Sequence, residues 1–410
     1  MDPTPLAKRC RFIFISSNGS WGGSEELWSA TAASLAETGH EITVFKGGID
    51  NEQPRLRRLR ELGCRMYDLE WWPFFLRKAY PFMKRIAHGF AYACQIVRLR
   101  IGLAFTSAAD LVILSQGGNS DGVYFGNVIR KRQQPYVVIV QKASDLYWPS
   151  DPQLDSMRAI YGEARACFFV SEHNRQLTEE QIGMALPHAT IVRNPALVPW
   201  ERRSDWPDDG QGLRLACVGR MQTMEKGQDL LLRVLASDKW RKRPLSVTFY
   251  GAGPNRIGLE EMAQYLELTS VTFAGFVHDV AAIWNDHHAL ILPTRCEGLP
   301  LVLVEAMLSG RLPIVTTAGG NAEVVDDDVT GFLANAATED ALDEAMERAW
   351  SRRDEWQTIG EAAATKIRTL VPPDPAGAMA AMLLRLGMRT GASALECADD
   401  GAEPAHHRRV

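Results

Sequence analysis

The stretch from Ala289 to Gly310 constrains this chain more than any other. Ala289-Leu290-Ile291-Leu292 is a short uninterrupted apolar run, the pattern of a strand buried on both faces. A turn carrying one carboxylate, Glu297, follows it. Then comes a helix with Pro300 at a favourable first position, Glu305 inside it and Gly310 at its stop. A strand–turn–helix of this kind belongs in a parallel α/β sheet. It aims backbone N–H groups and a positive helix end at the space above the sheet, which suits an anion. Pro300 has no N–H, so the donors would be Gly298, Leu299, Leu301 and Val302. Two carboxylates beside an anion site make no sense for phosphate alone. They make sense for a ligand that also carries hydroxyls, because a carboxylate accepts two hydrogen bonds from a diol. A nucleotide sugar has hydroxyls at both ends and a diphosphate between them.

The same stretch resembles a known pattern. Glu297 and Glu305, in the setting Pro293-Thr294-x-x-Glu297-Gly298-Leu299-Pro300 and Glu305-Ala306-Met307, are similar to the paired-glutamate element of the retaining glycosyltransferases of family 4, which have the GT-B fold. That resemblance implies two Rossmann-like domains facing each other across a cleft. It also implies transfer of a sugar from a nucleoside diphosphate to a hydroxyl acceptor with retained anomeric configuration. Glu297 would hold the donor sugar, and Glu305 the ribose diol.

Elsewhere the chain repeats the strand–helix alternation twice. Arg11 to Ser16 reads as a buried strand running into Gly22-Gly23-Ser24-Glu25 and a helix, then a second strand at Ile42 to Phe45. Paired glycines allow a ligand close to the backbone at a strand's carboxyl end. The resemblance implies that Gly22 and Gly23 approach the donor phosphate, with His40 a turn residue. Strands are also expected at 110–115, 136–140 and 166–170. Gln141, after the strand at 136–140, stands where the family often carries a histidine that positions donor sugar and acceptor. Asp145 is a candidate for an acceptor hydroxyl, a loop-surface role being the other reading.

Residues 199–212 are polar, with Gly and Pro and no periodicity, and mark a linker. The expected division is an N-terminal acceptor-side domain over 1–205 and a donor domain over 206–375. A helix over 376–390 would cross back to the first domain, and 391–410 would be a disordered tail. In the donor domain, Arg220 and Lys226 follow the strand at 213–218. Two cations there suit a diphosphate whose charge grows as the sugar bond breaks. Their setting resembles the family's diphosphate clamp. The resemblance further implies that Gly251 lies near the nucleotide and that main-chain atoms at Phe276 and Val277 meet the base. His287 and His288 read as a surface turn.

Composition removes several alternatives. A net charge of −5 over 410 residues gives no case for nucleic-acid binding, and 46% hydrophobic and 23% charged residues are ordinary for a globular chain. Seven scattered cysteines without a C-x-x-C pair argue against disulfides and a zinc cluster, and favour a reducing cytoplasm. The apolar run Phe12 to Ile15 is too short for a signal peptide. Trp71-Trp72-Pro73-Phe74-Phe75 with the basic residues up to Arg100 allows two readings. One is a helical pair covering the sheet; the other is a peripheral contact with the inner face of a membrane or a lipid-linked glycan acceptor. With no Asp-x-Asp at a strand end, and cations in place, neither metal nor cofactor is expected. The first loop lacks Gly-x-Gly-x-x-Gly, which excludes a nicotinamide dehydrogenase. A nucleotide-sugar epimerase and an inactive sugar-nucleotide-binding protein remain as rivals.

Overall fold

The computed structural model describes residues 9–70, 88–208, 210 and 212–388. Its frame is two parallel sheets. The first holds β1 (Arg11–Ser16), β2 (Glu41–Lys46), β3 (Arg65–Asp68), β4 (Leu111–Gly118), β5 (Tyr136–Lys142), β6 (Cys167–Phe169) and β7 (Ala189–Ile191), in the order β3-β2-β1-β4-β5-β6-β7. The second holds β8 (Leu213–Val218), β9 (Leu245–Tyr250), β10 (Val271–Gly275), β11 (Ala289–Leu292), β12 (Leu312–Thr316) and β13 (Phe332–Ala334), in the order β10-β9-β8-β11-β12-β13. Each sheet has apolar cores on both faces, as helix-covered parallel strands require.

The strand order reverses between β1 and β4 in the first sheet and between β8 and β11 in the second. Loops leaving the carboxyl ends of two such strands diverge to opposite faces and open a crevice. The loops flagged in the sequence, 17–25, 219–227 and 293–300, leave β1, β8 and β11 and so fall at these two crevices.

Local chemistry sets several boundaries. The helix Glu172–Ile182 is capped by Ser171, whose hydroxyl accepts from Asn174 N at 3.2 Å, and it ends on Gly183 in the left-handed region at φ 61°. Pro300 caps the helix Leu301–Leu308 instead of being its first residue, with an extended ψ of 126°. The helix Pro375–Met388 lies on the first domain. Its Met379, Ala380 and Leu383 are buried with Phe12, Leu27 and Trp28, and Arg165 Nη1 donates to Leu386 O at 2.7 Å.

One expectation is overturned here. His287 and His288 do not form a surface turn; both are buried. They lead straight into central strand β11, so they pack beneath the sheet. His288 Nδ1 accepts from Arg214 N at 3.0 Å, and His287 Nδ1 meets Ile283 O at 2.9 Å. Burial lowers both imidazoles, His288 to about 4. Among the described residues the cysteines are free, no group of histidine, cysteine and carboxylate side chains could hold a metal, and no helix is long and apolar enough to cross a membrane. The aromatic–basic segment expected to contact a membrane lies outside the described residues over 71–87, as does the tail expected over 391–410. The end of that segment belongs to the helix His88–Ala104.

Candidate functional site

The site forms where the carboxyl ends of the two sheets face each other. From β8 the chain enters a loop and a short turn of helix, Thr223–Lys226. Gly227 ends that turn at φ 63°, and a β-carbon there would lie 1.9 Å from Pro293 O. Only glycine serves at such a contact. It locks the Lys226 loop onto the Glu297 loop, and Lys226 Nζ stands 2.5 Å from Glu297 Oε1. Glu297 is 7% exposed, so its partner neutralises a nearly buried charge. Arg220 is exposed and spends one guanidinium nitrogen on Glu225 Oε2 at 3.0 Å.

Above Glu297, the amide N–H groups of Gly298, Leu299, Leu301 and Val302 make no hydrogen bond with the described residues. They are the orphan donors of a helix start. With Arg220 and Lys226 they give the second crevice an anion-attracting floor. Across from it, the Gly22–Gly23 loop reaches the same helix start, where a β-carbon on Gly23 would meet Leu301 Cδ1 at 3.0 Å. That loop is held from below by a fully buried ion pair, Lys46 Nζ to Glu25 Oε2 at 2.9 Å, with Ser16 donating to both Glu25 oxygens.

Glu305, one helical face further on, is 2% exposed. Its Oε1 accepts from Leu197 N at 3.0 Å. Burial, and to a lesser degree the Glu26 carboxylate, push its carboxyl up to about 7, against the opposing pull of that Leu197 hydrogen bond. Gly251 packs on the Gly219 carbonyl of the neighbouring loop, where a β-carbon would come within 2.1 Å. Phe276 and Val277 follow the edge strand β10; Phe276 is exposed and meets His278 edge-on.

Gln141, near the end of β5, has a buried side chain, and its Nε2 finds no hydrogen-bond partner among the described residues. Asn194 Nδ2 donates to its Oε1 at 2.7 Å, and its backbone carbonyl abuts Gly298 so closely that a β-carbon there would lie 1.9 Å away. Asp145 faces the cleft, on the wall of a cavity of ≈ 200 Å3 that also includes His173, Arg295, Cys296, Glu297 and Thr317.

The residues that sequence reasoning missed are those joining the domains. Glu225 is nearly buried and takes three donors: Lys142 Nζ at 2.8 Å, Tyr147 OH at 3.0 Å and Arg220 Nη2 at 3.0 Å. Burial pushes its pKa upward, but Lys142, Tyr147 and Arg220 outweigh burial and hold it below the usual carboxylate range. For Lys142 burial disfavours the ammonium, yet Cys296 and Glu225 outweigh it and the pKa is raised. Lys142 and Tyr147 belong to the first domain and Glu225 to the second, so this carboxylate bridges the cleft. Glu323 adds a second tie by accepting from His173 N at 2.8 Å. A glutamate beside Lys226 carries no sequence signal for this role, because its partners lie about eighty residues away (|i−j| = 83 and 78).

Lys142→Met tests the bridge. Loss of one charge-assisted hydrogen bond of about 1.5–3 kcal/mol should speed amide exchange at Ser144 to Trp148 by about tenfold or more. The rest of the first sheet should keep its protection. Unchanged exchange over that loop would show that Lys142 does not hold the domains together.

Comparison with known proteins places this architecture. Residues 212–352 match the family model described as glycosyl transferases group 1. Anabaena HepE, crystallised in complex with UDP and glucose, superposes with a TM-score of 0.72 at 16% identity, covering 92% of this chain and 100% of that one. Sucrose-phosphate synthase from Thermosynechococcus elongatus gives 0.71 at 17%, covering 92% and 98%. The fold is GT-B: two Rossmann-like domains with parallel sheets. Among sequences, the GDP-mannose-dependent alpha-(1-6)-phosphatidylinositol monomannoside mannosyltransferase of Mycolicibacterium smegmatis is 27% identical over 265 residues, 59% of this chain and 65% of that protein. This chain therefore matches less than two thirds of that relative's length.

Proposed function

We propose that this protein is a retaining glycosyltransferase that moves a sugar from a nucleoside-diphosphate sugar to a hydroxyl acceptor without a metal ion. The observation that carries the reading is the floor of the second crevice. There, unpartnered amides at Gly298, Leu299, Leu301 and Val302 lie beside Arg220 and the Lys226–Glu297 pair. A diphosphate fits these donors, and Glu297 lies where a sugar attached to it would present hydroxyls. As the glycosidic bond lengthens, charge builds on the departing diphosphate, and pre-placed donors stabilise it without reorganising. Closure across Gly298 and Glu225 would hold both substrates in reacting geometry and shut out water.

The relatives support both common bases: one of them is GDP-mannose-dependent and the HepE crystal contains UDP. The aromatic–basic composition of 71–100 supports a lipid-linked glycan as acceptor, with the protein peripheral at the inner face of the membrane.

A thermal-shift series with UDP, GDP, UDP-glucose and GDP-mannose tests the donor site. A ligand at about one hundred times its Kd stabilises by about 2.7 kcal/mol. At least one nucleotide should raise Tm, and Arg220→Ala should reduce the rise. If none of the four moves the wild-type Tm, the donor-site reading fails.

A further inference from the structure

The ≈ 200 Å3 cavity between the domains is not explained by diphosphate binding. Its second-domain wall is Arg295, Cys296, Glu297 and Thr317; its first-domain wall includes Asp145, after β5, and His173, in the first turn of the helix Glu172–Ile182. Most polar groups on these walls are already engaged. Glu297 is paired with Lys226. Arg295 grips both Asp229 oxygens, at 2.8 and 2.9 Å. Thr317 donates to Asn335 O, and Ser144 caps Leu146 N. Two groups are left over. The Asp145 carboxylate and the His173 imidazole make no side-chain hydrogen bond with the described residues, though His173 N is fixed by Glu323.

We propose that this cavity is the acceptor subsite, that it takes an uncharged sugar hydroxyl, and that His173 and Asp145 bind that hydroxyl. The assignment rests on the glycosyltransferase reading above. A hydroxyl both donates and accepts. A carboxylate only accepts, while an imidazole offers one of each, so the pair satisfies a hydroxyl completely. A phosphate does not fit. The one cation on the walls is committed to Asp229, and Asp145 and Glu297 repel an anion. Glu297 forms part of the same wall, so a hydroxyl held at Asp145 and His173 faces the donor sugar. His173 lies one strand–helix unit after Gln141, in the first turn of the helix that follows β6.

Saturation-transfer NMR on the full chain tests this, with the protein saturated by whichever of UDP or GDP raises its Tm. The probes are methyl α-glucoside and methyl α-mannoside against glucose 6-phosphate and mannose 6-phosphate. At least one methyl glycoside should bind, more tightly than the phosphorylated sugars. His173→Ala and Asp145→Ala should each weaken it about tenfold, and His173→Gln, which keeps a donor and an acceptor, should weaken it less. The nucleotide-induced Tm rise should persist in all three variants. Equal glycoside binding by wild type and variants overturns the assignment. So does preference for a phosphorylated sugar, or the absence of any glycoside signal with nucleotide bound. Failure of the wild type to bind any nucleotide would instead overturn the donor-site reading beneath it.

Discussion

Lys226→Ala is expected to lower sugar transfer by about 10²–10³-fold, the usual cost of removing one pre-placed charge-stabilising donor. Two effects combine. In the free protein Lys226 Nζ sits 2.5 Å from Glu297 Oε1, and its removal leaves a 7%-exposed carboxylate without its cation. In the donor complex the same ammonium would face the diphosphate, whose negative charge rises toward the transition state. Loss of the first effect should appear as a lower Tm and loss of the second as a lower kcat. Glu297→Gln separates them. Added to Lys226→Ala, it removes the stranded charge, so Tm should recover; the kcat effect is read on Lys226→Ala alone, because Glu297 itself faces the donor sugar. Lys226→Arg restores charge on a longer, planar group and should recover activity only in part. Transfer by the wild type should also survive EDTA, since Arg220 and Lys226 supply the positive charge. A Lys226→Ala enzyme with wild-type kcat would remove this residue from the diphosphate role.

How much of this was legible in the sequence depends on the range of the interaction. Strands such as β1 and β11 are continuous apolar runs, and their partners follow from helix-crossover connections, so two parallel sheets could be read directly. The Glu297 turn was legible for a related reason. Strand, turn, cap and helix are contiguous, and the orphan amides come with that order. Gly227 and Gly298 show where reading stops. Their neighbours, Pro293 O and Gln141 O, are distant in sequence, so the close approach that forbids a side chain is visible only in three dimensions. Gln141 is held by Asn194, a contact between distant stretches of chain that strand periodicity does not reveal. The adjacent Lys142 crosses the cleft. His287 and His288 were misjudged because polarity was read as exposure, whereas both are buried, each with its Nδ1 against a main-chain partner. His173 escaped notice because a histidine just inside a helix has no local signature.

Glu305 offers the clearest pH-dependent test. Its carboxyl is raised from 4.5 to about 7, chiefly by burial. The sign follows from proton counting. Below the ordinary carboxylate pKa both folded and unfolded chains hold the proton, and there is no penalty. Between there and about 7 the unfolded chain ionises while the folded one stays protonated, so stability falls as pH rises. Above that range both are ionised and the penalty is constant, about 3.5 kcal/mol at roughly 1.4 kcal/mol per pH unit. Glu305→Gln keeps an oxygen for Leu197 N–H and cannot ionise. It should therefore raise Tm at about pH 8 and leave it unchanged at about pH 4. Binding runs the other way. A ribose diol that donates two hydrogen bonds prefers the carboxylate, so nucleotide binding must remove the proton, and UDP or GDP affinity should rise as pH passes through about 7. The nucleotide's own terminal phosphate also titrates, but equally for both proteins, so the difference between wild-type and Glu305→Gln affinity isolates this residue. A difference that does not change with pH, alongside the expected Tm behaviour, would make Glu305 a buried support for the Leu197 loop and would take the ribose away from it.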